Sequence, residues 1–262
     1  MRYKDKVTIV TGGSKGIGAG CVKVFVNEGG SRVVFCSRNE AEGRAFEAEF
    51  KGASPGSATF IRADVSKVED VKRVVDFTVE KFGRIDCLIN NAGWHPPHKS
   101  IDEFSIEDFR SLLNTNLVSI FAACKLALPH LRKVKGNIIN MSSLVGVMGQ
   151  AGATTYVATK GGITSFTKAL AVDEAAHDVR VNAVSPGNVY TPLWQEAIDA
   201  SPDPQQTRAD GDAAQLVGRM GTIDETGRLC LFQAAEATFT TGVDHILSGG
   251  AELAYGRKTR KG

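Results

Sequence analysis

Seven short runs of apolar, mostly β-branched residues recur along the chain, at Val7–Thr11, Arg32–Cys36, Ala58–Ala63, Cys87–Asn90, Gly136–Met141, Arg180–Val184 and Val243–Leu247, and longer helical patterns separate them. Strands that alternate with helices become parallel neighbours joined by crossovers. The pattern therefore predicts an α/β fold, a doubly wound, Rossmann-type parallel sheet of seven strands with helices on both faces. Several runs are apolar throughout rather than alternating, as a sheet covered on both faces requires. Val68–Phe82 sets Val71, Val74, Val75 and Val79 on one helical face. Ile106–Leu131 and Thr154–Ala176 are longer and less polar, so each is expected to pack against a partner subunit as well as the sheet. No repeat or linker interrupts the series, and residues 1–262 are expected to form a single domain.

One stretch departs from this rhythm. Residues 189–220 are punctuated by Pro192, Pro202, Asp203, Pro204, Asp210 and Asp212 and contain Trp194. They read as a long irregular insertion beyond the carboxyl end of a strand, where lids over active sites occur.

Composition removes several classes of function. The chain has 31 Lys and Arg against 29 Asp and Glu, and Arg257, Lys258, Arg260 and Lys261 of the tail (251–262) account for more than the whole excess. The slightly acidic body that remains is unsuited to nucleic acid, and the tail is expected to be solvated. No stretch reads as the roughly 18 uncharged apolar residues of a membrane span. Met1–Lys6 leads straight into a strand pattern without a leader's apolar region. The five cysteines, Cys21, Cys36, Cys87, Cys124 and Cys230, are odd in number and lack C-x-x-C spacing. They read as free thiols, not a disulfide framework or a metal site, and with the other signals they predict a cytoplasmic protein.

The first strand run leads into Thr11-Gly12-Gly13-Ser14-Lys15-Gly16-Ile17-Gly18, which opens a helix near Ile17. Glycines let the backbone turn sharply and approach a pyrophosphate, whose charge the free N–H groups of a helix N-terminus stabilise. In NAD sites an acidic residue at the end of the second strand binds the ribose hydroxyls. Here that position is Ser37, followed by Arg38, with Lys15 in the loop. Two cations and no carboxylate favour the 2′-phosphate of NADP, with NAD as the alternative.

Met141-Ser142-Ser143 ends a central run, and Tyr156-Val157-Ala158-Thr159-Lys160 follows on a helix, where Tyr156 and Lys160 share a face. A phenol is a poor base at neutral pH, but an adjacent ammonium lowers its pKa. The order of Gly-rich turn, Asn90-Asn91-Ala92-Gly93, Asn116, Ser143, Tyr156, Lys160 and Pro186-Gly187 resembles the short-chain dehydrogenase/reductase family along nearly the whole chain. Within that family, Asn91–Pro97, Ser142–Gly146, Tyr156–Gly161, Ser185–Asn188, Thr191–Trp194 and Gly249–Gly256 resemble the 17β-hydroxysteroid dehydrogenase branch of type 14, which uses NAD and is also associated with L-fucose oxidation. That branch has an aspartate where this chain has Ser37, so its NAD preference does not carry over.

The resemblance implies roles residue by residue. Tyr156 would be the general base, Ser143 would hold the substrate oxygen, and Lys160 would bind the nicotinamide ribose. Asn116 would anchor a water chain that carries the proton to solvent. Gly12, Ser14, Lys15, Gly16, Ile17 and Gly18 would cradle the pyrophosphate. Asp64 and Val65 would flank the adenine, Asn90, Ala92 and Gly93 the ribose, and Pro186, Gly187, Val189 and Thr191 the nicotinamide. His95, Gln150, Asn188, Leu193, Trp194 and Tyr255 would line the substrate pocket. The implied reaction is hydride transfer between NAD(P) and a secondary alcohol or ketone, a 17β-hydroxysteroid first and L-fucose as the alternative. The implied assembly is a homotetramer. A carrier-linked 3-oxoacyl reductase would need a basic cluster at the pocket mouth, and only the tail offers one. A non-catalytic dinucleotide-binding scaffold or sensor would have no use for Ser143, Tyr156 and Lys160 together.

Overall fold

The computed structural model describes residues 1–53 and 56–253. Its strands are β1 (Val7–Thr11), β2 (Arg32–Ser37), β3 (Ser57–Arg62), β4 (Cys87–Asn90), β5 (Asn137–Met141), β6 (Arg180–Pro186) and β7 (Asp244–Leu247). They form one sheet in the order β3-β2-β1-β4-β5-β6-β7, every pair parallel. The chain runs outward from β1 through β2 to β3 and then returns to β4 on the other side of β1. This reversal opens a crevice at the carboxyl ends of β1 and β4, where ligands of such sheets bind.

The core lies in two layers, one on each face. Neighbouring residues of β1 point to opposite sides: Val10 joins Phe25, Phe35, Cys230 and Leu231, whereas Ile9 joins Val71, Val74, Leu128 and Ile163. The first layer lies under α1 (Gly16–Val24), α2 (Glu40–Ala48) and α10 (Ile223–Ala235); the second lies under α3 (Val68–Phe82), α5 (Ser119–Val134) and α7 (Thr154–Glu174). All five cysteines are buried and free.

Three local features depart from expectation. The long run from Ile106 is not one regular helix: α4 (Ile106–Leu113) passes through a π turn at Asn114–Val118 before α5 begins. The wider turn buries Asn116 completely. An 18-residue window within Ile106–Val134 has a mean hydropathy of 1.4, so by length and composition this run could cross a membrane, contrary to the sequence expectation; half of that window is buried inside the fold. Finally, residues 189–220 are not irregular. They carry α8 (Pro192–Asp199) and α9 (Pro204–Ala213), following the short α6 (Val145–Met148) and α7 in the series. Of the prolines that read as loop punctuation, Pro192 and Pro204 are first-turn residues of these helices, Pro202 lies in the bend between them, and Thr191 and Asp203 are the side-chain caps.

Helix α1, which opens at the glycine-rich loop, is packed against α10 with no room for a methyl group. A Cβ on Gly20 would stand 2.3 Å from the Ile223 carbonyl oxygen, and one on Gly227 2.6 Å from the Gly20 carbonyl oxygen. Backbone cannot yield as a side chain can. Gly20→Ala is expected to lower the unfolding free energy by about 1–3 kcal/mol, measured by urea denaturation. Wild-type stability in that variant would show that the two helices part easily.

Candidate active site

The loop after β1 is shaped by glycines that tolerate no side chain. Gly12 and Gly16 have φ of +65° and +56°, and a Cβ on Gly18 would lie 2.1 Å from the Gly12 carbonyl oxygen. The end of β4 is clasped to this loop. Thr11 Oγ1 accepts from the backbone N–H of Asn91 (3.0 Å) and of Ala92 (3.1 Å), and Asn91 Nδ2 donates to the Thr11 and Gly12 carbonyls, each at 3.0 Å. Helix α1 starts at Gly16 with no side-chain cap from Lys15, which leaves its first N–H groups open toward the crevice. A Cβ-free cradle under uncapped amides fits the pyrophosphate of a dinucleotide.

On the far side of the loop, Ser37 donates to the Asn39 carbonyl at 3.3 Å, and Lys15 and Arg38 are exposed with no carboxylate in ion-pair range among the described residues. Ser14 Oγ donates to Glu42 Oε1 at 2.8 Å. Asp64 is a turn former that accepts from the N–H and hydroxyl of Ser66, and Val65 beside it is half-buried.

Ser143 follows β5, while Tyr156 and Lys160 stand one turn apart on α7. Ser143 hydrogen-bonds the Tyr156 phenol. Lys160 is buried; its ammonium donates to the Met141 carbonyl at 2.9 Å and lies 5.6 Å from the Tyr156 ring centre. Asn116 holds the β4 loop from beneath: its Oδ1 accepts from Trp94 N–H, and its Nδ2 donates to the Trp94 carbonyl, each at 3.0 Å. Nδ2 also donates to Thr159 Oγ1 at 3.2 Å. A Cβ on Gly93 would come within 3.1 Å of Asn116 Oδ1 and 3.8 Å of Lys160 Nζ, so the loop, the π turn and α7 converge on one point.

Burial sets the electrostatics of this cluster. Desolvation pushes the Tyr156 phenol up to about 12, against the lowering effect of the Ser143 hydrogen bond. It pushes the Lys160 ammonium down to about 8. The phenol is thus raised rather than depressed as the sequence suggests, because burial takes water from it and from the neighbouring ammonium alike.

The pocket side is mixed. The His95 ring lies 4.1 Å from that of Tyr156, with Nε2 3.2 Å from Gln150 Oε1 and Nδ1 2.5 Å from the Pro96 carbonyl oxygen. Leu193 is exposed, whereas Trp194 turns onto α9, where a Cβ on Gly211 would meet its ring at 3.2 Å. Asn188 donates to the Gly211 carbonyl, tying its amide to α9 rather than leaving it free for a substrate. Asn90 departs from its implied ribose role: its side chain is buried in the sheet and donates to Asn140 and Cys124, which leaves only its backbone near the crevice. Pro186 ends β6 beside β7, and Gly187 follows it with its N–H donating to the Leu247 carbonyl; Val189 bridges to Gly221, and Thr191 caps α8. Tyr255 lies outside the described residues. Sequence reasoning missed Thr11 and Asn91 as the clasp, although Asn91 belongs to the motif it used, and it missed Glu42, which no local pattern marks.

With this geometry in view, the comparisons with known proteins are consistent. The family model for short chain dehydrogenase matches residues 6–201. The chain belongs to the short-chain dehydrogenase/reductase family, as an NAD(P)-dependent oxidoreductase acting on CH–OH groups. It is 53% identical over 257 residues to an L-fucose dehydrogenase of Rattus norvegicus, covering 98% of this chain and 93% of that protein. It is 36% identical over 251 residues to a cyclopentanol dehydrogenase of Comamonas sp., covering 95% of this chain and 98% of that one. A crystal structure of Cj0485 dehydrogenase superposes with a TM-score of 0.87 at 31% identity, covering 95% of both chains.

The buried ammonium has a consequence for stability. Its folded pKa of about 8 lies below the roughly 10.4 of an unfolded lysine. Below pH 8 the fold therefore carries the cost of a desolvated charge, and that cost is relieved as pH rises from about 8 to 10. Lys160→Met is expected to raise the unfolding free energy at pH 7 by about 2 kcal/mol and to flatten the rise between pH 8 and 10, read by thermal unfolding across that range. A destabilised variant would mean that the bond to Met141 outweighs the desolvation.

Proposed function

We propose that this protein oxidises a CH–OH group of L-fucose, passing hydride to a bound nicotinamide dinucleotide and the hydroxyl proton to Tyr156. The observation that carries the reading is identity of about half the residues, over nearly the full length, with proteins named L-fucose dehydrogenase. The polar rim supports it: His95 and Gln150, bonded to each other at 3.2 Å, suit a ligand covered in hydroxyls. A 17β-hydroxysteroid, the first expectation from the sequence, would need an apolar wall, and Trp194 is already engaged with α9.

In this reading the dinucleotide supplies the hydride acceptor. Ser143 donates to the substrate oxygen and holds the carbon in place, and Tyr156 accepts the proton as general base. Lys160 binds the nicotinamide ribose, and Asn116 anchors the proton's path to solvent while fixing the loop that bears Trp94 and His95. Lys15 and Arg38, exposed and with no carboxylate in ion-pair range among the described residues, support NADP over NAD. The segment 189–220, with its two helices, serves as the lid. The exposed apolar side chains Ile106, Val118, Phe121, Val172, Phe239 and Ile246 support a homotetramer. We place the protein in the cytoplasm, with residues 1–262 working as one domain.

Initial rates with L-fucose, estradiol and cyclopentanol, each with NAD and NADP, test the substrate assignment. L-fucose is expected to lead in kcat/KM by roughly 100-fold; a lead for estradiol would overturn it. Tyr156→Phe is expected to lose about 10²–10⁴ in kcat with dinucleotide affinity retained. Because the phenol must ionise to act as base and is held near 12, the wild-type oxidation rate should climb from pH 7 to 10. A flat profile would exclude Tyr156 as the group whose ionisation limits the rate.

A further inference from the structure

We propose that Glu42 tunes the choice between NAD and NADP: its carboxylate, carried to the phosphate loop by α2, stands in for the acid that the end of β2 lacks and opposes a 2′-phosphate. The proposal deepens the reading of the loop as a dinucleotide site and rests on it.

In the sequence this end of the site holds Lys15, Ser37 and Arg38 and no acid. The fold changes that balance by bringing Glu42 Oε1 to 2.8 Å from Ser14 Oγ, across a separation of 28 residues. Its position is built rather than incidental. Asn39 caps α2 by accepting from Glu42 N–H at 3.2 Å, and Ser37 holds the Asn39 carbonyl at 3.3 Å. Next along the helix, a Cβ on Gly43 would stand 2.1 Å from the Phe60 ring, so the start of α2 sits directly on the sheet. Glu42 is half-buried and has no cation in ion-pair range among the described residues. The cations Lys15 and Arg38 are exposed instead.

An unneutralised carboxylate beside a loop that receives anions is electrostatically unfavourable unless hydroxyl donors occupy it. Ser14 is one such donor, and the free 2′-hydroxyl of an NAD ribose is another of the same kind. A phosphate at the 2′ position replaces that donor with two further negative charges, and like charges within a few ångström repel. Arg38 and Lys15 pull toward NADP while Glu42 pulls toward NAD, which brings the two affinities close together.

The test is equilibrium binding to the free protein by titration calorimetry, using NAD, NADP, AMP and adenosine 2′,5′-bisphosphate. Glu42→Gln keeps a partner for Ser14 and removes only the charge. It is expected to raise the preference for NADP over NAD, and for the bisphosphate over AMP, by about tenfold, and the gain should shrink at high salt. Arg38→Ala should move the preference the opposite way. Unchanged ratios in Glu42→Gln would overturn the proposal, as would a shift seen in Glu42→Ala alone, which would report packing rather than charge. If the wild-type protein bound neither dinucleotide, the reading of the site itself would fall instead.

Discussion

The chemistry of this protein hangs on the clasp between the ends of β1 and β4. Thr11 and Asn91, 80 residues apart, exchange hydrogen bonds that close the backbone of one strand end onto the other. Glycine-rich backbone loses much conformational entropy when it is fixed, and these bonds offset part of that cost. With the clasp closed the loop's amides face a fixed crevice, and Gly93, two residues past Asn91, is carried to the point where Asn116 and Lys160 meet. One local arrangement thus shapes both the glycine-rich loop and the floor beneath the Ser143, Tyr156 and Lys160 cluster.

The same crevice shows why burial and chemistry conflict here. A phenol raised and an ammonium lowered by the same loss of water is the arrangement a fold would avoid if stability were its only constraint. The Met141 carbonyl and Ser143 hydroxyl offset part of that cost locally. The remainder is tolerated because two apolar layers on a seven-stranded sheet hold α7 in place whether or not its inward face is comfortable. The π turn at Asn114–Val118 is the same compromise in the backbone: regular hydrogen bonding is given up for one widened turn, and a buried amide gains three partners on two other elements.

How much of this was legible in the sequence follows from the range of each interaction. The strands were readable because their cause is local: apolar, β-branched runs bounded by turns, and all seven fall within a few residues of expectation. The cradle and the Ser143, Tyr156 and Lys160 cluster were readable because glycine freedom and helical spacing are properties of short segments. Residues 189–220 were misread as irregular for a related reason. Proline and aspartate mark a helix start as well as a loop, and only the capping geometry of Thr191 and Asp203 separates the two. What could not be read were contacts made by folding alone. Asn90 and Asn91 are identical neighbours in the sequence, yet strand alternation turns one into the sheet and the other onto the loop.

The polarity of the adenosine end belongs to that last class. Counting charges near a motif assumes that sequence neighbours are spatial neighbours, which holds for Lys15 and Arg38 because each sits on the turn it serves. It fails for a carboxylate on the first turn of the next helix, since the helix's angle to the sheet decides where that side chain ends. Here the angle is set by Phe60 against Gly43, a packing contact with no electrostatic content. A glycine that lets a helix settle onto an aromatic ring therefore helps bring an acid to the glycine-rich loop, and it is this packing contact on which the proposed role of Glu42 in dinucleotide choice rests.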